Sequence, residues 1–142
     1  MKFSLYAVLT LLLINCSMKK NTSDNADLNR LLEYQWTLKS LSGNDYILGT
    51  TNKTPMLEFD FKEGKIIGTD GCNRFFGSID TLDANQMKFG MLASTKMMCP
   101  NHQYSTKFLE LLQAVETYEV LKSELKLKSN QNIVLMTFKK QQ

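Results

Sequence analysis

The stretch GTDGCNRFFG, residues 68–77, holds three glycines within a run that otherwise alternates in the manner of a β-strand. Glycine weakens the interior of a strand, so this density of glycines needs a structural reason. A short sheet that curls nearly into a barrel needs sharp bends, which glycines or bulges provide. We therefore interpret Gly68, Gly71 and Gly77 as a corner in a strand pair around Cys72. The alternative, a phosphate-binding loop, lacks both the Gly-Lys-Ser/Thr ending and a helix directly after it.

Alternating apolar and polar residues on both sides of this stretch predict an antiparallel sheet. Residues 57–61, LEFDF, place three apolar side chains on one face and two carboxylates on the other, as a half-buried strand does. A glycine-containing turn at 62–65 and a returning strand at 66–69 complete a hairpin. Other short strands are predicted at 34–38, 75–79, 87–91, 118–121, 125–127 and 133–138, with the last hairpin turn at 130–132.

One segment has helical periodicity instead. Its apolar residues recur at three- and four-residue steps, the pattern of an amphipathic helix: Phe108, Leu111, Leu112 and Val115. We therefore predict an α+β fold. It consists of a small, strongly curved antiparallel β-sheet, similar to an open barrel, with one packed α-helix near 104–117.

The amino terminus has the features of a secretory signal. A lysine precedes a mostly apolar run at 3–14, which is shorter than the roughly 20 residues of a membrane span. The run ends at Asn15-Cys16, which resembles a bacterial lipobox, although a small residue would be usual in place of Asn15. We expect residues 1–15 to be a lipoprotein signal peptide and Cys16 to be lipidated. An ordinary cleaved signal, in which Cys16 is incidental, is the alternative.

The residues after Cys16 predict how the folded part is held. Residues 16–29 are polar and contain no run that packs, so we interpret them as a flexible tether to a domain at 30–140. Two or more acyl chains give stable membrane anchoring. We therefore expect a monomer that is secreted across the inner membrane and anchored by lipid in the cell envelope, at the outer membrane.

The charge distribution disfavours nucleic acid as a partner. The net charge is +3, from 17 basic and 14 acidic residues. Proteins that bind nucleic acid concentrate lysine and arginine on one surface, often with interleaved aromatic residues. The sequence has no such dense basic cluster, so we expect no nucleic-acid binding.

The chain has three cysteines, and lipidation of Cys16 leaves Cys72 and Cys99. Two thiols that remain in a small domain outside the cytoplasm tend to pair. A disulfide closing this loop would remove unfolded-state entropy worth roughly 3 to 4 kcal/mol. The alternative is two separately buried thiols, since free cysteine packs as a small apolar group.

Two motifs in this order resemble a known family. They are GCNRFFG at 71–77 and ASTKMMCP at 93–100, preceded by WTL at 36–38 and followed by the amphipathic helix and a terminal hairpin. Together they resemble the META domain of the META/HslJ-like lipoproteins, over residues 31–138. The resemblance implies a small β-rich domain with a helix. It also implies an association with heat shock, novobiocin tolerance, or motility and virulence in parasites, and it supplies no catalytic residue. The acidic residue that the family often has early in the helix is replaced by Ser105 here.

Polar residues of the two motifs form a candidate site. Asp70, Asn73 and Arg74 lie at the bend, and Thr95 and Lys96 open the second motif. A disulfide would bring the two groups together at one end of the sheet. In a structural interpretation, the asparagine satisfies backbone groups and the arginine pairs with a carboxylate. In a functional interpretation, the five residues form a recognition patch for an envelope protein or another envelope component.

Other chemistry has weaker support in the sequence. His102 follows Cys99 by three positions, but a nucleophile and base pair needs a third, orienting group, which is not evident. One histidine and two cysteines also lack the paired spacing of zinc sites. We expect no catalytic residues, no metal and no cofactor. A group of four methionines is interpreted as core filling or as the lining of an apolar groove: Met87, Met91, Met97 and Met98.

These expectations lead to a functional hypothesis. The protein is expected to be a non-enzymatic envelope lipoprotein that binds or stabilises another envelope component, in stress or antibiotic tolerance. The alternative is a carrier that holds an apolar ligand or lipid in a groove between sheet and helix. A hydrolase that uses Cys99 and His102 is the remaining minority hypothesis.

Overall fold

The computed structural model describes residues 22–45, 53–99 and 102–141. The predicted signal peptide, Cys16 and the first part of the predicted tether lie outside the described residues. Within them the elements are α1 (Thr22–Glu33), β1 (Trp36–Leu41), β2 (Asn44–Asp45), β3 (Met56–Asp60), β4 (Lys65–Thr69), β5 (Arg74–Leu82), β6 (Met87–Ser94), α2 (His102–Gln113), β7 (Thr117–Leu121), β8 (Glu124–Lys128) and β9 (Val134–Lys140).

All the strands belong to one antiparallel sheet. Their order is β6-β5-β4-β3-β1-β9-β8-β7, and the short β2 pairs with β1. The two end strands approach each other at an isolated bridge between Gln86 and Thr117. Two backbone hydrogen bonds flank it, from Met87 N to Glu116 O at 3.1 Å and from Tyr118 N to Asn85 O at 3.0 Å. The sheet therefore curls until its ends meet at one corner, which confirms the predicted curved, open-barrel-like α+β fold.

The three glycines of the opening stretch have different tasks. Gly71 has a φ of 95° in the turn between β4 and β5, a left-handed conformation that favours glycine. Gly77 lies beside a register shift between β5 and β6, and a Cβ there would lie 2.6 Å from Leu92 Cδ2. Gly68 leaves room for the ring of its cross-strand partner Phe75. The predicted corner is thus a turn and a bulge, and two of the glycines also make space for neighbouring side chains.

The packed helix α2 covers the sheet next to β6 and β9. Its Phe108 ring contacts the rings of Phe75 and Phe138, with centroids 5.7 and 6.2 Å apart. The helix ends at Gln113, earlier than the predicted limit of 117, because Glu116 N already donates to Lys128 O at 2.9 Å at the start of the β7–β8 hairpin. The apolar spacing continues past the helix end because Val115 is buried in the connecting segment.

The amino-terminal helix α1 was not predicted. Residues 22–29, expected to be part of a flexible tether, are helical in the structure. Leu31 is fully buried and Leu28 packs against the core, so leucines three positions apart supply one apolar face. The indole Nε1 of Trp36 donates to Leu31 O at 3.4 Å, which ties the helix end to β1. No helix in the described ranges has the length and apolarity needed to cross a membrane.

Two ion pairs lie on the outer face of the second half of the sheet. Lys39 Nζ lies 2.5 Å from Glu124 Oε1, and Lys128 Nζ lies 2.8 Å from Glu119 Oε2. The hydrogen bond from Lys39 lowers the pKa of Glu124, and that from Lys128 lowers the pKa of Glu119. Because the folded state favours the ionised carboxylates, their contribution to stability is present at neutral pH and is lost as the pH falls through the lowered pKa values.

Replacement of Gly68 by alanine should destabilise the protein. The new Cβ would overlap the carbonyl oxygen of Met56 and lie 2.8 Å from Phe75 Cζ. We expect the free energy of unfolding in urea to fall by about 1–3 kcal/mol, as for overpacked cores. The control is Gly43→Asn, at a φ of 78° with no atom within 4 Å, which asparagine tolerates. An unchanged midpoint for Gly68→Ala would disprove the packing role.

The two ion pairs predict an acid-dependent loss of stability. In the double variant Glu119→Gln/Glu124→Gln, the drop in unfolding free energy between about pH 7 and about pH 3 should be smaller than in the wild type. Removing the cations instead, with Lys39→Met/Lys128→Met, should reduce the drop in the same direction, because the carboxyl pKa values then return towards their usual range. Equal drops in all three proteins, measured by urea denaturation, would show that these pairs do not contribute.

Candidate functional site

A disulfide joins the two motifs that define the candidate site. Cys72 lies in the turn between β4 and β5, and Cys99 lies in the segment that leads from β6 towards α2. Their Cα atoms are 6.0 Å apart, and the bond closes a separation of 27 positions. The predicted pairing is present in the structure, so the bend and the segment before α2 form one covalently linked unit.

The buried carboxylate of Asp70 builds the turn. The residue is 1% exposed, and its Oδ1 accepts hydrogen bonds from Cys72 N at 2.8 Å and Asn73 N at 2.6 Å. Its own backbone N donates to Asn73 O at 3.0 Å. Because this carboxylate is buried, it stabilises the turn that carries the predicted patch and is not itself part of the exposed surface.

Asn73 connects the turn to the second motif. Its Oδ1 accepts hydrogen bonds from Met97 N at 2.7 Å and from Thr95 Oγ1 at 3.2 Å. The same threonine hydroxyl accepts from Arg74 N at 3.2 Å, and Thr95 N donates to Arg74 O at 3.0 Å. The structural interpretation of the asparagine is therefore correct, since it satisfies a backbone group across the junction.

Two cations of the candidate site point into solvent. Arg74 and Lys96 are exposed, and neither side chain has an ion pair or hydrogen bond within the part of the chain that the structure describes. The expected pairing of Arg74 with a carboxylate is not found among the described residues. We call the exposed unit the Cys72–Cys99 surface, and it consists of Asn73, Arg74, Thr95, Lys96, Met97 and Met98.

The methionines divide between core and surface. Met87 is fully buried, whereas Met91 is largely exposed on β6. Met97 is 62% exposed and Met98 is fully exposed, directly before Cys99. Methionine adapts its shape to different partners because its side chain is unbranched and flexible. Two thioether side chains beside two cations give the Cys72–Cys99 surface both apolar area and positive charge.

Cys99, the nucleophile of the hydrolase hypothesis, is used in the disulfide. The hypothetical pair with His102 therefore has no free thiol as nucleophile. His102 begins α2. In the described ranges, no three His, Cys, Asp or Glu side chains are grouped as a metal ion would require. What the site presents is an exposed surface on a segment fixed by a disulfide.

Sequence comparison agrees with the two-motif pattern. The sequence model of the META domain matches residues 29–142. The chain belongs to the META domain family. The predicted resemblance is thereby confirmed, and the disulfide and the Asp70–Asn73 turn lie within this META domain. No curated protein matches the sequence.

Two solved structures have the same fold as this META domain. A protein from Burkholderia xenovorans, solved by NMR, is 24% identical with a TM-score of 0.63, and the match covers 82% of this chain and 87% of that one. A second NMR structure is 25% identical with a TM-score of 0.60, covering 78% and 92%. At this low identity the structural similarity supports a shared fold only.

Sequence reasoning missed two residues, one beside the site on β5 and one at the far end of α2. Phe76 is 59% exposed on the outer face of β5, where a strand that buries Phe75 must turn the next side chain outward. The paired phenylalanines of the motif already contain that signal. Gln113 of α2 donates through Nε2 to Phe89 O at 2.9 Å and Gly90 O at 3.0 Å, which covers part of the β6 edge. Nothing local in the sequence indicates that contact.

Removal of the disulfide should lower stability substantially. For Cys72→Ser/Cys99→Ser we expect the free energy of unfolding to fall by about 3–4 kcal/mol, because the unfolded chain regains the entropy of an open loop. Urea denaturation without reductant measures the effect. Reductant should shift the wild type to the same midpoint and leave the double variant unchanged. A double variant as stable as the oxidised wild type would contradict this role for the bond.

Proposed function

We propose that this META domain protein is a non-enzymatic lipoprotein of the cell envelope, and that it binds or stabilises another envelope component through the Cys72–Cys99 surface. The observation that carries the proposal is the exposure of Arg74, Lys96, Met97 and Met98 on a segment fixed by a disulfide. Arginine and methionine are enriched at protein interfaces relative to the rest of the surface, whereas lysine is depleted.

The rigidity of this surface favours binding. A flexible loop loses conformational entropy when it docks, whereas a pre-organised segment has already lost it. Here the segment at 95–99 is held by Cys99 and by the hydrogen bonds of Asn73 to Met97 N and Thr95 Oγ1. The backbone that carries the exposed side chains is therefore already ordered, so docking would cost little additional backbone entropy.

The proposed location rests on the sequence before the domain. The apolar run and the lipobox-like Asn15-Cys16 support export across the inner membrane and lipid anchoring at the outer membrane, with a monomeric domain facing its partner. The role in stress or antibiotic tolerance rests on the family resemblance alone. Neither nucleic acid nor a cofactor has a part in this proposal.

The contacts between α2 and the sheet disfavour the alternative, a carrier that holds its ligand there. The ring of Phe108 contacts those of Phe75 and Phe138, and all three residues are buried. Aromatic side chains thus occupy the interface that the carrier would need to keep open. Binding at the surface agrees better with this packing.

The proposed surface is tested by affinity purification of the full protein from envelope extracts. In Lys96→Ala/Met97→Ser/Met98→Ser, the partner that copurifies with the wild type should be depleted by about tenfold or more, because central interface residues each contribute 1–2 kcal/mol or more. All three side chains are exposed, so the fold should be retained.

The matched control is Leu121→Ser/Lys139→Ala, which removes an exposed apolar residue and an exposed cation elsewhere on the sheet. It should leave the partner unchanged. Equal depletion in the control, or no depletion in the test variant, would refute the proposed surface. The intact mass of the same membrane-extracted protein reports whether Cys16 carries lipid, so the anchor and the surface are judged separately.

A further inference from the structure

A groove of about 460 Å³ crosses β3, β4 and β5 on the outer face of the sheet, the face turned away from the core. Two cross-strand rows of side chains form its walls. One row is Glu58, Ile67 and Phe76, and the other is Met56, Thr69 and Arg74. The rows are two residues apart along each strand, or about 7 Å, so the groove is one side chain wide.

The floor of the groove is backbone. It is formed by the intervening row, whose members are paired across the same three strands: Leu57, Gly68 and Phe75. The leucine and phenylalanine side chains are buried on the opposite face, and the glycine has none. Across three strands spaced at about 4.8 Å, the floor is about 10 Å long before the flanking side chains are added.

The two ends of the groove differ in charge. At the β5 end, the Arg74 guanidinium is exposed and has no partner among the described residues. At the β3 end, Glu58 Oε2 already accepts a hydrogen bond from Gln35 Nε2 at 3.0 Å. An anionic group is therefore attracted to the Arg74 end and repelled from the Glu58 end, which gives a ligand one orientation.

The space between these ends is apolar. Phe76 is 59% exposed, its cross-strand neighbour Ile67 is 40% exposed, and Met56 is half-buried on the opposite wall. An alkyl chain laid along the groove would cover all three side chains and remove apolar surface from water.

The backbone of the floor selects against a peptide. β3, β4 and β5 are interior strands with a hydrogen-bonded neighbour on each side. Their backbone groups are paired within the sheet, so a peptide laid across them would find few partners for its own N–H and C=O groups. An alkyl chain has no such groups to satisfy.

We propose that this groove binds a medium-chain carboxylate amphiphile, a free fatty acid by chemical class. The carboxylate bonds the Arg74 guanidinium, which matches its planar geometry with two parallel hydrogen bonds. The alkyl chain lies over Ile67 and Phe76 towards β3. The site does not depend on the proposed protein partner, because its apolar part lies outside the Cys72–Cys99 surface and the two share only Arg74.

Photo-crosslinking of the full protein in envelope vesicles tests the site. The probe is dodecanoate carrying a diazirine on its chain, competed with unlabelled dodecanoate. We expect saturable labelling of the groove lining, within residues 66–88, which contain Ile67 and Phe76, and at Met56. A diazirine-bearing dodecyltrimethylammonium probe should label this segment roughly tenfold less or weaker still, since a charge-assisted hydrogen bond is replaced by repulsion.

Two variants with matched controls test where the carboxylate group and the alkyl chain of the ligand bind. Arg74→Gln should reduce saturable labelling roughly tenfold, whereas Lys139→Gln on β9 should not change it. Phe76→Ser should reduce labelling, whereas Leu121→Ser on β7 should not. All four side chains are exposed, and thermal unfolding of each variant verifies the fold. If a variant unfolds, the labelling of the wild type by the carboxylate probe and by the trimethylammonium probe still tests the proposal.

The proposal is refuted if the cationic probe labels the groove as strongly as the dodecanoate probe, or if Arg74→Gln has no effect. It is also refuted if saturable labelling occurs outside the groove or does not occur at all. The Lys96→Ala/Met97→Ser/Met98→Ser variant should label like the wild type, because these side chains do not line the groove. Loss of partner protein with labelling retained would therefore separate the two surfaces.

Discussion

The disulfide between Cys72 and Cys99 fixes where the chain leaves the sheet and turns towards α2. The curled sheet needs that turn, because its end strands meet only near Gln86 and Thr117 and the rest of the β6 edge requires cover. The helix supplies it through Gln113, which donates to two carbonyls of β6. The disulfide before α2 and the hydrogen bonds of Gln113 at its end therefore hold the helix against the β6 edge of the sheet.

The bend itself is locally unfavourable. The Oδ2 of Asp70 is buried without a hydrogen-bond partner among the described residues, and such a group costs about 1–3 kcal/mol. A disulfide that closes this loop contributes about 3–4 kcal/mol in the chain-entropy account. The stabilisation by the disulfide is thus large enough to offset the cost of the unsatisfied Asp70 oxygen in this turn. An exposed surface built on that turn keeps its shape for the same reason.

Local periodicity predicted most of the sheet and α2, because alternation and three- or four-residue steps are properties of neighbouring residues. The prediction from periodicity failed where contacts between distant residues determine whether an element forms or where it ends. The helix α1 begins inside residues 16–29, whose mostly polar composition resembled a tether, and its apolar face needs Leu28 together with Leu31, which lies beyond that segment. The strand β2 is two residues long and exists only by pairing with β1. The end of α2 is set by the pairing of Glu116 with Lys128, which no helical pattern shows.

The site was predictable to the level of its motifs and no further. The two cysteines and Asn73 lie in the expected junction. The burial of Asp70 and the exposure of Arg74, which has no side-chain partner among the residues the structure describes, depend on the turn geometry. The groove needs strand register, since its walls join residues far apart in sequence. The alternation of side chains along β5 nevertheless determines both the Cys72–Cys99 surface and the groove. Because β5 turns Phe75 inward against α2, it must turn Arg74 and Phe76 outward, so the packing that closes the core also presents the cation and the ring on the outer face.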